Sequence, residues 1–184
     1  MIAIANQKGG VGKTTTSVNL SAALALSGCV VLLVDLDPQG NATMGSGVDK
    51  RNLDLSIYDW LMENEPLETV AVEGSGGFKV MPGNTDLTAA EVELLNEDKR
   101  TERLSQKLSA AQNIFDYVII DCPPSLSILT INALIASDGV LIPMQCEYYA
   151  LEGLTALLET VERVREEANK DLMIEGLLRT MYDP

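Results

Sequence analysis

A chain of 184 residues, 46% of them apolar, is long enough for one well-packed domain and too short for two. Its formal charge of −14, from 13 basic against 27 acidic residues, argues against a strong electrostatic grip on nucleic acid, because phosphate-backbone affinity comes from clustered Lys and Arg. With no histidine at all, His-based acid–base chemistry and most zinc sites are excluded.

In chain order, "IAIAN" (2–6) reads as a buried strand directly after Met1. It lacks the basic start and small-residue cleavage site of a signal peptide, so a cytoplasmic protein is expected. A Gly-rich loop follows, then a helix over 13–27 closed by Gly28, then the strand "CVVLLVD" (29–35). The stretch 40–77 is the least regular, with a short helix near 56–62 and a Gly-rich "EGSGG" loop. Beyond it the spacing predicts strand 78–82, helix 86–95, a solvated "NEDKR" turn (96–100), helix 101–112 and strand 116–121. Helix 126–136, strand 139–144, helix 152–168 and strand 172–178 complete the pattern. Continuous apolar strands alternating with helices imply an α/β fold, a doubly wound, mainly parallel sheet with helices on both faces. The chain reads as a single domain over 1–184. It ends at "RTMYDP" directly after a strand, where such a fold places a covering helix, so further C-terminal helices are expected beyond Pro184. No apolar run approaches the roughly 20 residues of a membrane span. Cys29, Cys122 and Cys146 have no CxxC spacing and are expected to be buried as small hydrophobes.

The chemistry starts at "NQKGGVGKTTT" (6–16). Strand, Gly-rich loop and helix in succession form a P-loop arrangement. Glycines let backbone N–H groups turn inward around phosphate oxygens, and the helix N-terminus adds partial positive charge. Lys13 is expected at the β/γ-phosphates and Thr14 on Mg²⁺. The usual GxxxxGK[ST] spacing would put glycine at position 7, where this chain has Gln7, and Lys8 precedes the glycines. The run KGGVGKT resembles the deviant Walker A motif, in which Lys8 would be the signature lysine. At the loop entrance its long stem can extend across an interface to a nucleotide held by a neighbour. There it would neutralise charge on the transferred phosphoryl group, as an arginine finger does. The expected ATP-binding set is Lys8, Gly9, Gly10, Val11, Gly12, Lys13, Thr14 and Thr15.

Two strands end in carboxylates. "VLLVDLDPQGNAT" places Asp35 and Asp37 at the carboxyl edge of a strand, where parallel sheets bind ligands; both read equally as caps of the turn Pro38-Gln39-Gly40. "FDYVIIDCPPSLS" ends a strand at Asp121, the pattern of a Walker B carboxylate that holds Mg²⁺. "DPQGN" and "CPPSLS" resemble switch I and switch II of the ParA/Soj partition ATPases. That resemblance implies that Asp37 orients the attacking water, Asp35 supports the Mg²⁺ water shell and Asp121 serves the metal. "PMQCEYYALEGL" (143–154) and "LLRTMYDP" (177–184) are similar to the same family. The likeness makes Met181, Tyr182 and Asp183 adenine-side candidates and puts Tyr148, Tyr149 and Glu152 near a dimer surface, with core packing or a helix cap as the competing reading.

The resemblance spans nearly the whole chain. It implies an ATP-dependent homodimer that hydrolyses ATP, binds DNA without sequence preference through residues beyond Pro184, associates with the nucleoid when ATP-bound, and works with a ParB-type partner in chromosome or plasmid partitioning. The alternative reading, a MinD-like membrane-associated cell-division regulator, shares the deviant loop and anchors through a C-terminal amphipathic helix, which would lie beyond Pro184; "DPQGNAT" and "DCPPSLS" favour the partition ATPases. An iron–sulfur reductase would need paired cysteine ligands.

Overall fold

Burial of both faces of the central strands explains their continuous apolar runs. The computed structural model describes residues 1–147 and 150–183, without the side chains of Gln112, Ala150, Leu151 and Glu152. Tyr148, Tyr149 and the Glu152 side chain, expected near a dimer surface, lie outside the described residues. The strands are β1 (Ile2–Ile4), β2 (Val31–Asp35), β3 (Val72–Glu73), β4 (Lys79–Met81), β5 (Tyr117–Asp121), β6 (Gly139–Gln145) and β7 (Met173–Thr180). They form one seven-stranded sheet in the order β3-β4-β2-β5-β1-β6-β7. Every pairing is parallel except β3 with β4.

Along β2, Leu32 and Val34 enter one core and Val31 and Leu33 the other. Along β5, Val118 and Ile120 separate from Ile119 in the same way. The smaller core is closed by α1 (Lys13–Leu26), through Val18, Leu20, Ala22 and Ala25, and by Ala42 of α2 (Asn41–Gly45). The larger core is closed by α3 (Ile57–Met62), α4 (Leu67–Val70), α5 (Leu87–Leu94), α6 (Arg103–Leu108), α7 (Ile128–Ala136) and α8 (Ala150–Glu167). Helices therefore cover both faces, as the strand pattern demands.

Several boundaries move for local reasons. α3 starts one residue after Ser56, whose hydroxyl accepts from Tyr58 N (3.2 Å) while Ser56 N donates to Asp59 Oδ2 (2.7 Å). This is a capping box, worth about 1 kcal/mol. The helix expected over 101–112 begins at Arg103 and tightens after Leu108 into a 3₁₀ turn over Ser109–Asn113. The irregular stretch contains α2, α4 and β3, elements too short for a periodic signal; β3 returns against β4 through the glycine loop, closed by Gly74 N to Phe78 O (2.9 Å). The strand expected to be buried over 172–178 is instead an edge strand, β7, with Met173 and Leu177 half or more exposed (59% and 50%). An apolar run alone does not distinguish a central strand from an edge. Cys122 is buried and Cys29 half-buried, but Cys146 is exposed, contrary to expectation; all are free thiols. No helix among the described residues is long and apolar enough to cross a membrane.

Candidate active site

The carboxyl ends of β1, β2 and β5 meet at the middle of the sheet. Register pairs Asp35 with Asp121 directly and Ile4 with Asp121. The two acidic strand ends thus stand side by side next to the departure point of the glycine loop. Ligands of open parallel sheets bind at such an edge.

Asn6 anchors the loop start. Its Nδ2 donates to Pro143 O on β6 (2.8 Å) and its Oδ1 accepts from Lys8 N (2.9 Å). Gly12 has φ +92°, a left-handed conformation that favours glycine. A Cβ there would meet Thr180 Cγ2 at 3.3 Å. The Thr180 hydroxyl donates to Val11 O (2.8 Å), so the last strand walls the loop. α1 then begins with no side-chain cap and no acidic residue in its first turn. Its free N–H groups and dipole are left facing the cleft, an arrangement suited to an anion.

The cleft has a volume of about 330 Å³ and is lined by Gly9, Gly10, Gly12, Lys13, Thr14 and Thr15 from the loop and α1. Asp37, Gln39 and Asn41 line the opposite side, with Pro124 and Met181 at the edges. Lys13 is only 7% exposed, and its Nζ donates to Lys8 O (3.1 Å). Burial pulls its pKa down, while the charges of Asp121 and Asp37 oppose that shift. A desolvated ammonium at an uncapped helix end is electrostatically prepared for phosphate.

Asp121 is fully buried; its Oδ2 accepts from Thr14 Oγ1 and its Oδ1 from Ser17 Oγ, both at 2.8 Å. Burial raises its pKa to about 6. The Thr14 hydroxyl, which lines the cleft, and the Asp121 carboxylate it donates to from above are hard oxygen donors. They fit a Mg²⁺ ion that keeps phosphate and water as its remaining ligands. Asp35 has a different environment. Its Oδ2 accepts from both Thr43 N and Thr43 Oγ1 at 2.7 Å, and its Oδ1 accepts from Asp37 N at 3.2 Å. Burial first, then the neighbouring Asp121 charge, push its pKa to about 7. It does not line the cleft; Asp37 does, with Oδ1 accepting from Gln39 N (2.9 Å).

Lys8 points away from its own loop's interior. Its Nζ donates to Glu147 Oε2 (2.8 Å) and Gln145 Oε1 (3.1 Å), at and just beyond the end of β6, with the side chain 36% exposed. Val11 is buried, and neither it nor Lys8 lines the cleft, unlike the other loop residues expected to bind ATP. Met181 adopts φ +50° and lines the cleft, whereas Tyr182 lies outside the lining and stacks on the Arg179 guanidinium at 4.8 Å. Asp183 is exposed and lines no part of the cleft. Burial raises the Cys122 thiol pKa far above its ordinary value. Residues not singled out from the sequence also belong to the site. Ser17 is one α-helical turn beyond Lys13, a spacing that could have flagged it. Gln39 and Asn41 lie inside the quoted "DPQGN" stretch.

Residues 1–174 match the AAA_31 family, described as an AAA domain. Over its whole length the chain is 54% identical to the sporulation initiation inhibitor protein Soj of Bacillus subtilis, of which it covers 73%. It is 51% identical to the chromosome partitioning protein ParA of Myxococcus xanthus, covering 65% of that protein. A solved structure of cobyrinic acid a,c-diamide synthase from Mycobacterium smegmatis with bound ADP and magnesium superposes with a TM-score of 0.95 at 43% identity, over 99% of this chain and 74% of that one. The same enzyme with an ATP analogue and magnesium also superposes at 0.95.

Proposed function

Because the chain belongs to the AAA_31 family and, within it, to the ParA/Soj partitioning proteins, we propose that it is a Mg²⁺-dependent ATPase whose ATP-bound form is a homodimer. The observation that supports this reading is the different placement of two lysines in one loop. Lys13 is buried against its own cleft, while Lys8 projects outward, its ammonium on Glu147. Lys13 and the α1 N-terminus receive the β- and γ-phosphates of ATP in the same subunit. Lys8 serves the ATP of a second copy and neutralises charge on the transferred phosphoryl group. Asp37 positions the attacking water; a carboxylate is a weak base at neutral pH, so orientation rather than deprotonation is its main part. Thr14 and Asp121 would hold Mg²⁺, which supplies neutralisation of the β- and γ-oxygens. Loss of the γ-phosphate removes what both subunits share and weakens the dimer.

In the cell this switch acts in chromosome or plasmid partitioning with a ParB-type partner, on nucleoid DNA bound without sequence preference. With 13 basic against 27 acidic residues, the DNA contacts are assigned to the part of the longer relatives that 1–184 does not match. Amide synthesis of the kind named for the Mycobacterium smegmatis protein has less support, since identity is 43% there against 54% to Soj. The test is size-exclusion chromatography with ADP, then ATP, with and without DNA, on wild type and Asp37→Ala. Wild type should shift to a dimer with ATP, and Asp37→Ala should accumulate as one; unchanged elution throughout would refute the switch.

A further inference from the structure

The 37–43 segment carries Asp37, Gln39 and Asn41 into the cleft, yet its anchors lie beneath it. Thr43 is fully buried. Its N–H and its hydroxyl both donate to Asp35 Oδ2 at 2.7 Å, and its Oγ1 accepts from Gly83 N at 2.8 Å. At the other end of the segment, Asp37 N donates to Asp35 Oδ1. One carboxylate therefore clasps both ends, and one hydroxyl ties that clasp to the turn after β4. Between them, Gly40 has φ +56°, and a Cβ there would fall 2.4 Å from Gly83 O, so the middle of the segment leans on the same turn.

We infer that Thr43 is a positioning residue for ATP hydrolysis: its hydroxyl, bridging Asp35 and Gly83, holds the 37–43 segment so that Asp37 faces the reacting phosphate. The inference rests on the role proposed above for Asp37. Neither Thr43 nor Asp35 lines the cleft, so both act through the segment they fasten. Valine has nearly the shape of threonine but removes a donor and an acceptor together. The buried Gly83 N–H would lose its partner and Asp35 Oδ2 would lose one of two donors. Lys13, Thr14, Ser17 and Asp121 form their hydrogen bonds without Thr43, which separates phosphate binding from the clasp.

The experiment compares Thr43→Val and Thr43→Ser in the full chain. It measures kcat and KM for ATP, affinity for a non-hydrolysable ATP analogue with Mg²⁺, and amide hydrogen exchange over 37–43. Thr43→Val should lose at least about tenfold in kcat, as small misplacements of reacting groups do, while analogue affinity stays within about twofold. Exchange over 37–43 should quicken, and Thr43→Ser should restore both readouts. Gly40→Ala, a wedge against the same Gly83 turn, should reproduce the same split. A wild-type kcat in Thr43→Val would overturn the proposal, and so would equal losses of kcat and affinity accompanied by a lower Tm. A wild-type chain that turns over no ATP would sink the reading of Asp37; exchange over 37–43 unchanged in Thr43→Val would sink the clasp in either case.

Discussion

The floor and the rim of the cleft are built on opposite principles. On the floor and in the layer directly beneath it, Lys13, Ser17, Asp35 and Asp121 are buried, and each has a partner inside the protein. On the rim, Lys8, Gln145, Glu147 and Met181 meet through half-exposed or exposed side chains. Buried polar contacts are costly to break, whereas exposed ion pairs contribute about 0–1 kcal/mol and exchange readily. The floor is therefore set before any ligand arrives, and the rim is free to change partners.

The sharpest way to break that contrast is to remove the floor's cation. Lys13→Ala should abolish measurable ATP binding by calorimetry, a loss of about a hundredfold or more, because a buried phosphate loses its charge-assisted donor. Lys8→Ala attacks the rim and should leave nucleotide affinity near wild type. It should reduce ATP hydrolysis by about a hundredfold, the scale of one missing transition-state donor; equal loss of binding and turnover would erase the distinction between the two lysines.

A third test reads the floor through pH. Asp35 and Asp121 have folded pKa values raised to about 7 and about 6. Between the unfolded carboxylate value and these, the folded state holds more protons than the unfolded one, so their contribution to stability falls as pH rises. The nucleotide-free chain should melt several degrees higher at pH 5 than at pH 7.5, with little further change above that; a Tm rising steadily over this window would contradict the buried placement of the pair. The smallest effect belongs to Glu147→Gln. Freed from its ion pair, Lys8 should react about two- to fivefold faster with an amine-acylating reagent, and the ATP-dependent dimer should form at correspondingly lower protein concentration.

The floor was largely legible in the sequence because its pieces are contiguous: "KGGVGKT" places Lys13 and Thr14, and two apolar runs deliver Asp35 and Asp121 to one edge. Ser17 and Thr43 were not read, since what defines each is a carboxylate at the end of a strand; Ser17 had a local clue in its helical-turn spacing from Lys13, and Thr43 had none. Lys8 was legible as an unusual second lysine ahead of the glycines, but its resting contacts with Gln145 and Glu147, more than a hundred residues away, were not. The exposed β7 shows the same limit. "LMIEGLL" specifies a strand, while its place in the sheet is decided by chain topology.

Thr180, near the chain's far end, has one further consequence. Its hydroxyl holds Val11 O, and its methyl sits against the one face of Gly12 where a side chain would go. The glycine loop is thus not a portable cassette. Transplanted onto another sheet without an outermost strand of this reach, the same seven residues would arrive with a dangling carbonyl and a missing wall.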